Sequence, residues 1–129
     1  MSEPIFLTLD EVMRIHARSL AEHGGADGVR DAGLIESALG SAKNTFFYGA
    51  GDVFDVAASH AFHLAEAQAF LDGNKRTAVG AALVFLGRNG AYVMPPFRQL
   101  HQAMLDIAAK RMTKAELAKV LRELAQGTD

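Results

Sequence analysis

From Ala78 to Leu86 the chain carries no polar side chain. A helix made from that run is apolar almost all round, so it has to be central and covered by other elements on every side. Immediately before it stand Asp72, Gly73, Asn74, Lys75 and Arg76, an acid, an amide and two bases around a glycine. Upstream, Phe54, Ala57, Ala58, Ala61, Phe62 and Ala65 recur at helical spacing between Asp52 and Ala67. Two buried helices therefore meet at a polar turn. Unpaired polar groups are costly in a core, but such a turn suits an anion. The start of the second helix offers unpaired backbone N–H groups and the positive end of the helix dipole. Gly73 lets the backbone come close to a ligand. Lys75 adds charge and Arg76 a forked donor that matches phosphate. Asp72 is an acceptor able to hold Mg²⁺ beside phosphates.

Four more helices are expected around this pair. Thr8 and Glu11 form a capping-box pattern, and Leu9, Val12, Met13, His16 and Leu20 share one face of a first helix ending near Glu22. His16 on that face is a candidate ligand or, more commonly for a lone histidine, a hydrogen-bonded core residue. Gly24-Gly25 stops the helix. Asp31 can cap a second one along Leu34, Ile35, Ala38, Leu39 and Ala42, with Arg30 and Asp31 forming a surface ion pair. Asn44 to Asp52, with Gly49 and Gly51, is expected to be non-helical. After Asn89-Gly90, Ala91 to Met94 reads as a brief extended piece and Pro95-Pro96 as the opening of a fifth helix on Phe97, Leu100, Met104 and Ile107. Thr113 and Glu116 repeat the capping box before a sixth, on Leu117, Val120, Leu121 and Leu124. The fold class expected is all-α, a single domain over 1–129 with about six helices and little strand.

Composition narrows the chemistry. Lys and Arg number 13 against 15 Asp and Glu, a net charge of −2, which argues against direct nucleic-acid binding but leaves room for a local basic site. There is no cysteine, so disulfides, thiolate chemistry and cysteine-ligated zinc are excluded. No apolar run reaches membrane-spanning length, and Met1-Ser2-Glu3-Pro4 has no signal-peptide pattern, so a cytoplasmic protein is expected. A P-loop fails because Gly73 is followed by Asn74 and the preceding segment is helical, not a strand. The five histidines form no His-Glu-x-x-His pattern.

Phe70-Leu71-Asp72-Gly73-Asn74-Lys75-Arg76-Thr77 resembles the core motif of the Fic/Doc family in its Doc (death-on-curing toxin) form. The Fic form reads H-x-F-x-[D/E]-G-N-G-R-x-x-R; the Doc form has Lys at the second Gly and lacks the final Arg. Lys75 sits at that Gly, and no second Arg follows Arg76 through Gly80. The segment from His23 to Ala38 and the helix Ala82 to Leu86 closing in Asn89-Gly90 also resemble Doc proteins. One position departs: the motif His falls at Gln68, an amide that does not titrate and cannot take a proton from a hydroxyl.

The resemblance implies a helical bundle with the motif loop between two central helices. It also implies a toxin of a toxin–antitoxin module that transfers the γ-phosphoryl group of a nucleoside triphosphate, ATP by preference, to a hydroxyl of a target protein. The target of Doc toxins is a threonine of elongation factor Tu, and the partner is an antitoxin that folds onto the toxin. Fic proteins instead transfer the nucleotidyl (AMP) part. By the match, Gln68, Asp72, Lys75 and Arg76 are the catalytic set. Gly73, Asn74, Lys75, Arg76 and Thr77 bind phosphate, with backbone and amide donors at Gly73 and Asn74; Asp72 takes Mg²⁺, and Phe70 anchors the loop. Phe46 to Gly51 corresponds to a flap over the motif, although the residues alone equally fit a tight connection with aromatics tucked into the core. Gln68 leaves a second class open: a nucleotide- or partner-binding protein that keeps the fold without transfer.

Overall fold

The computed structural model describes residues 3–126. They form α1 (Leu9–His23), α2 (Ala32–Phe47), α3 (Val53–Ala67), α4 (Asn74–Arg88), α5 (Arg98–Ala108) and α6 (Lys114–Gln126). Among the described residues the only extended pairing is a lone antiparallel bridge between Val29 and Phe70. Among the described residues no helix is long and apolar enough to cross a membrane.

The helix starts follow their caps. At α1 both arms of the capping box form between Thr8 and Glu11. Asp31 accepts from the Gly33 N–H at α2, and Asp52 accepts from Phe54 and Asp55 at α3 while Asp55 reciprocates. Before α6, Thr113 and Glu116 exchange the same two bonds. A cap of this kind stabilises a helix by about 1 kcal/mol. α3 and α4 are the central pair, with Val56, Ala57, Ala58, Ala61, Ala78, Ala81, Ala82, Phe85 and Leu86 all buried. The abundance of Ala lets their backbones approach closely. α2 and α6 cover α3, α1 covers α4, and α5 lies across the pair. Gly80 marks where α1 crosses: a Cβ there would stand 2.7 Å from Cγ2 of Ile15.

Three expectations fail. α2 does not stop at Asn44 but runs through Phe47. The rings of Phe46 and Phe47 pack against Phe6 at 6.1 and 5.8 Å, and this tertiary contact holds the last turn despite the glycines that follow. Phe46–Gly51 consequently lies at the end of α2 away from the motif, about 24 Å from its start at 1.5 Å per residue, and cannot be the flap. Nor does an ion pair join Arg30 to Asp31 among the described residues. Their backbone N–H groups instead share the Ala69 carbonyl, at 2.6 and 3.1 Å.

Candidate active site

The turn between α3 and α4 is built by a left-handed residue at each end. Gln68 ends α3 at φ 49°, ψ 46°, and Gly73 precedes α4 at φ 78°, ψ 17°. The first costs about 1–2 kcal/mol for a residue with a Cβ, so the surroundings must hold it. Ala69 and Phe70 do so by burial. Asn74 does so by reaching back: its Oδ1 accepts the Phe70 N–H at 3.1 Å and its Nδ2 donates to the Phe70 carbonyl at 2.9 Å. That side-chain amide is therefore anchored within the loop. One N–H of Nδ2 and the Asn74 backbone N–H are left for a ligand, so the amide donor expected toward phosphate is reduced to a single hydrogen.

Asp72 is held from two sides. Its Oδ1 accepts the Gly73 N–H at 2.9 Å and its Oδ2 the Ala26 N–H at 3.2 Å. Its carbonyl accepts from Nε2 of His16 at 2.8 Å, which fixes the Nε2–H tautomer. The same imidazole stacks on Phe70 with ring centroids 3.8 Å apart and planes 10° from parallel. The loop after α1 comes close enough to make these contacts because it is glycine-rich. A Cβ on Gly25 would stand 2.8 Å from Oδ2 of Asp72, and one on Gly28 would stand 2.7 Å from Leu71 Cδ1. The Gly28 carbonyl accepts from the Leu71 N–H at 3.1 Å. It is thus the 24–31 loop, and not Phe46–Gly51, that lies against the motif.

A cleft of about 760 Å³ opens over this turn. Gln68, Asp72, Gly73, Asn74, Lys75 and Arg76 line one side. Among the described residues no side chain of the cap residue closes the start of α4, so its first-turn N–H groups and dipole are directed at this region beside the Asp72 carboxylate. The opposite wall is α5, through His101, Leu105 and Ala108, with Lys110 just past its end, and Glu66 closes the α3 end with its carboxylate 3.4 Å from Lys110. Thr77 is not part of the lining. It is fully buried, its hydroxyl without a partner among the described residues, one turn into α4 on the core side, which corrects its place among the phosphate ligands. His63 lies outside the cleft as well, against Lys114 at 3.1 Å, with its pKa lowered by burial and that ammonium.

The donors fit a polyphosphate: two cations and helix-start N–H groups beside the cleft. Among the described residues no cluster of three or more His, Asp or Glu could hold a metal by itself. Mg²⁺ commonly takes one or two carboxylates and completes its shell with water and phosphate oxygens. Asp72, the carboxylate beside Lys75 and Arg76, fits that use. Sequence reasoning missed His16 as a motif contact and missed the α5 wall. The available signal was Leu105, which is apolar yet off the stripe of Leu100, Met104 and Ile107, and is half exposed here.

The Fic/DOC family model matches residues 6–86. This chain belongs to the Fic/Doc family. It is similar to "Protein kinase doc" of Escherichia phage P1, 31% identical over 116 residues that span 89% of this chain and 91% of that one. It is also similar to "Toxin Doc" of Mycolicibacterium smegmatis, 39% identical over 122 residues spanning 91% and 90%. The all-α architecture agrees with the Fic/Doc fold. The family match ends at Leu86, so α5 and the wall it gives the cleft lie beyond the matched span.

Proposed function

We propose that this Fic/Doc protein is a Doc-type toxin that transfers the γ-phosphoryl group of ATP to a hydroxyl of a target protein in the cytoplasm, and that Gln68 slows it. The observation that carries this reading is the uncapped start of α4 facing a 760 Å³ cleft beside Asp72, Lys75 and Arg76. The phage P1 relative is named a protein kinase, which supports the reaction class. Lys75, where Fic enzymes have Gly, supports phosphoryl over nucleotidyl transfer.

In that reaction the acceptor oxygen bonds to the γ-phosphorus as the bond from phosphorus to the bridging oxygen breaks, leaving ADP. Such transition states are loose, so the protein mainly positions and neutralises. Lys75, Arg76 and the α4 N–H groups balance charge on the transferred and leaving phosphates. Asp72 would hold Mg²⁺, which supplies further neutralisation when bound. Gln68 can orient the acceptor hydroxyl through Oε1 but cannot remove its proton, which is left to water. A target such as elongation factor Tu, and an antitoxin partner that binds the toxin, belong to the same proposal; the toxin name of the mycobacterial relative supports the latter.

Gln68 itself favours a second reading, a nucleotide-binding member of the fold without transfer. Incubation with Mg²⁺, lysate and ATP labelled at either the α or the γ phosphate separates the two. Label on protein from the γ position alone is the expected outcome. Retention from the α position overturns the orientation, and none from either, with ATP binding intact, leaves the second reading.

A further inference from the structure

We propose that His16 is a positioning residue of the anion site, locking the Asp72–Gly73 peptide so that its carbonyl faces α1 instead of the cleft. This rests on reading the cleft as a nucleotide site. A peptide unit is rigid, so holding one end orients the other. Here both ends are held. His16 donates to the carbonyl at 2.8 Å, and the N–H on the other side of the same plane donates to Oδ1 of Asp72 at 2.9 Å. Gly73 follows at φ 78°, a residue free to adopt other backbone conformations, and a peptide beside glycine turns over with little steric resistance. If it turned, a carbonyl oxygen would replace an N–H beside Lys75 and Arg76. The Asp72 carboxylate would also lose the bond that aims it. His16 opposes both changes.

The imidazole is placed for this task. It is 3% exposed on the α1 face that carries Val12, Met13 and Leu20, where packing alone would favour an aliphatic side chain. Its ring plane is set by the stack on Phe70, whose own N–H and carbonyl are held by Asn74. His16 is thus fixed by one loop residue and acts on another. A core imidazole that merely filled space would need neither contact.

The test uses three variants of the full chain. His16→Phe keeps a ring to stack on Phe70 and removes the donor. His16→Gln loses the ring but carries an N–H donor of similar reach. Val12→Ala, a fully buried α1 position away from the loop, controls for loss of packing. Loss of one such bond should weaken ATP binding by calorimetry about tenfold in His16→Phe, with substantial recovery in His16→Gln and no change in Val12→Ala. Faster amide exchange at Leu71 and Gly73 in His16→Phe alone is the second readout. Wild-type affinity in His16→Phe with unchanged exchange overturns the proposal, as does equal weakening in Val12→Ala. If the wild type binds no ATP, the nucleotide reading falls. Amide exchange then decides the lock separately: faster exchange in His16→Phe, reversed in His16→Gln, upholds it, and unchanged exchange overturns it.

Discussion

The two ends of α4 are built from the same part and put to different use. At its start Asn74 pairs with both backbone groups of Phe70; just past its last turn Asn89 pairs with both backbone groups of Ile5, at 2.7 and 3.1 Å. Each asparagine fastens the helix to a separate stretch of chain. Beyond that the ends diverge. Asn89 also closes α4 on itself: its side chain donates to the Phe85 carbonyl and its N–H to Phe85 and Leu86, while the Ala91 N–H takes Leu86 again. Phe6, Phe46, Phe47 and Phe85 pack beneath it, and Arg88 pairs with Glu11. At the start no side chain caps the helix, a glycine stands at the cap, and the cations beside it are exposed. One end is satisfied and the other is left short of acceptors. A ligand that brings acceptors belongs at the second.

The strongest challenge to this contrast lies at the open end. General-base catalysis contributes about 10²–10⁴-fold, so Gln68→His should raise the initial rate of γ-label transfer by roughly 10²-fold or more at saturating ATP. A robustly active wild type that Gln68→His does not improve would show that position 68 is not where a base acts.

Acid stress should act between the ends. His60 is buried in the middle of α3 with neither ring nitrogen partnered among the described residues, 5.1 Å from Phe85, and burial lowers its pKa to about 4. The unfolded chain protonates first, so stability is complete above about pH 6.5 and falls as pH drops toward 4, by up to about 3 kcal/mol. Urea unfolding at pH 7 and pH 4.5 should show this loss in the wild type and much less of it in His60→Leu.

The asparagines give a matched pair of smaller effects. Asn74→Ala and Asn89→Ala should each lower stability by about 1–2 kcal/mol through lost hydrogen bonds, but only Asn74→Ala should also weaken ATP binding. Equal weakening by both would abolish the distinction between the ends. Smallest is the Glu11–Arg88 pair at the closed end. Hydrogen bonding to Arg88 holds the Glu11 carboxyl down at about 2, so its contribution is complete above the ordinary carboxylate range and lost as pH falls toward 2. For a partly solvated pair about 1 kcal/mol is expected, and Glu11→Gln should remove that share of the acid dependence in thermal melts.

The helices were legible because their signals are local. Thr8 with Glu11, Asp31, and Thr113 with Glu116 each announce a start within a few residues, and the apolar run Ala78–Leu86 announces a centre. The end of α2 was not legible, because Phe46 and Phe47 are held helical by Phe6, far back in the chain. The site divides in the same way. Asp72, Gly73, Lys75 and Arg76 are adjacent in sequence and come together at the cleft. His16 meets Asp72 across 56 positions and Lys110 meets Glu66 across 44, and no spacing pattern encodes such encounters. Thr77 shows the converse: next to the cations in sequence, it turns into the core because a helix carries successive residues around its axis.

The far wall of the cleft is also made after the motif it faces. A ribosome releases α1, the glycine-rich loop and the motif before it releases Arg98 to Lys110. A nascent chain ending at the Pro95-Pro96 step therefore carries the acid and both cations on a surface open to solvent on the α5 side. A cleft with two walls arrives only when α5 has emerged and docked. On the proposed reading a nucleotide meets both walls only after α5 has docked, and a translation product aborted just after the motif has the signature residues without the enclosure.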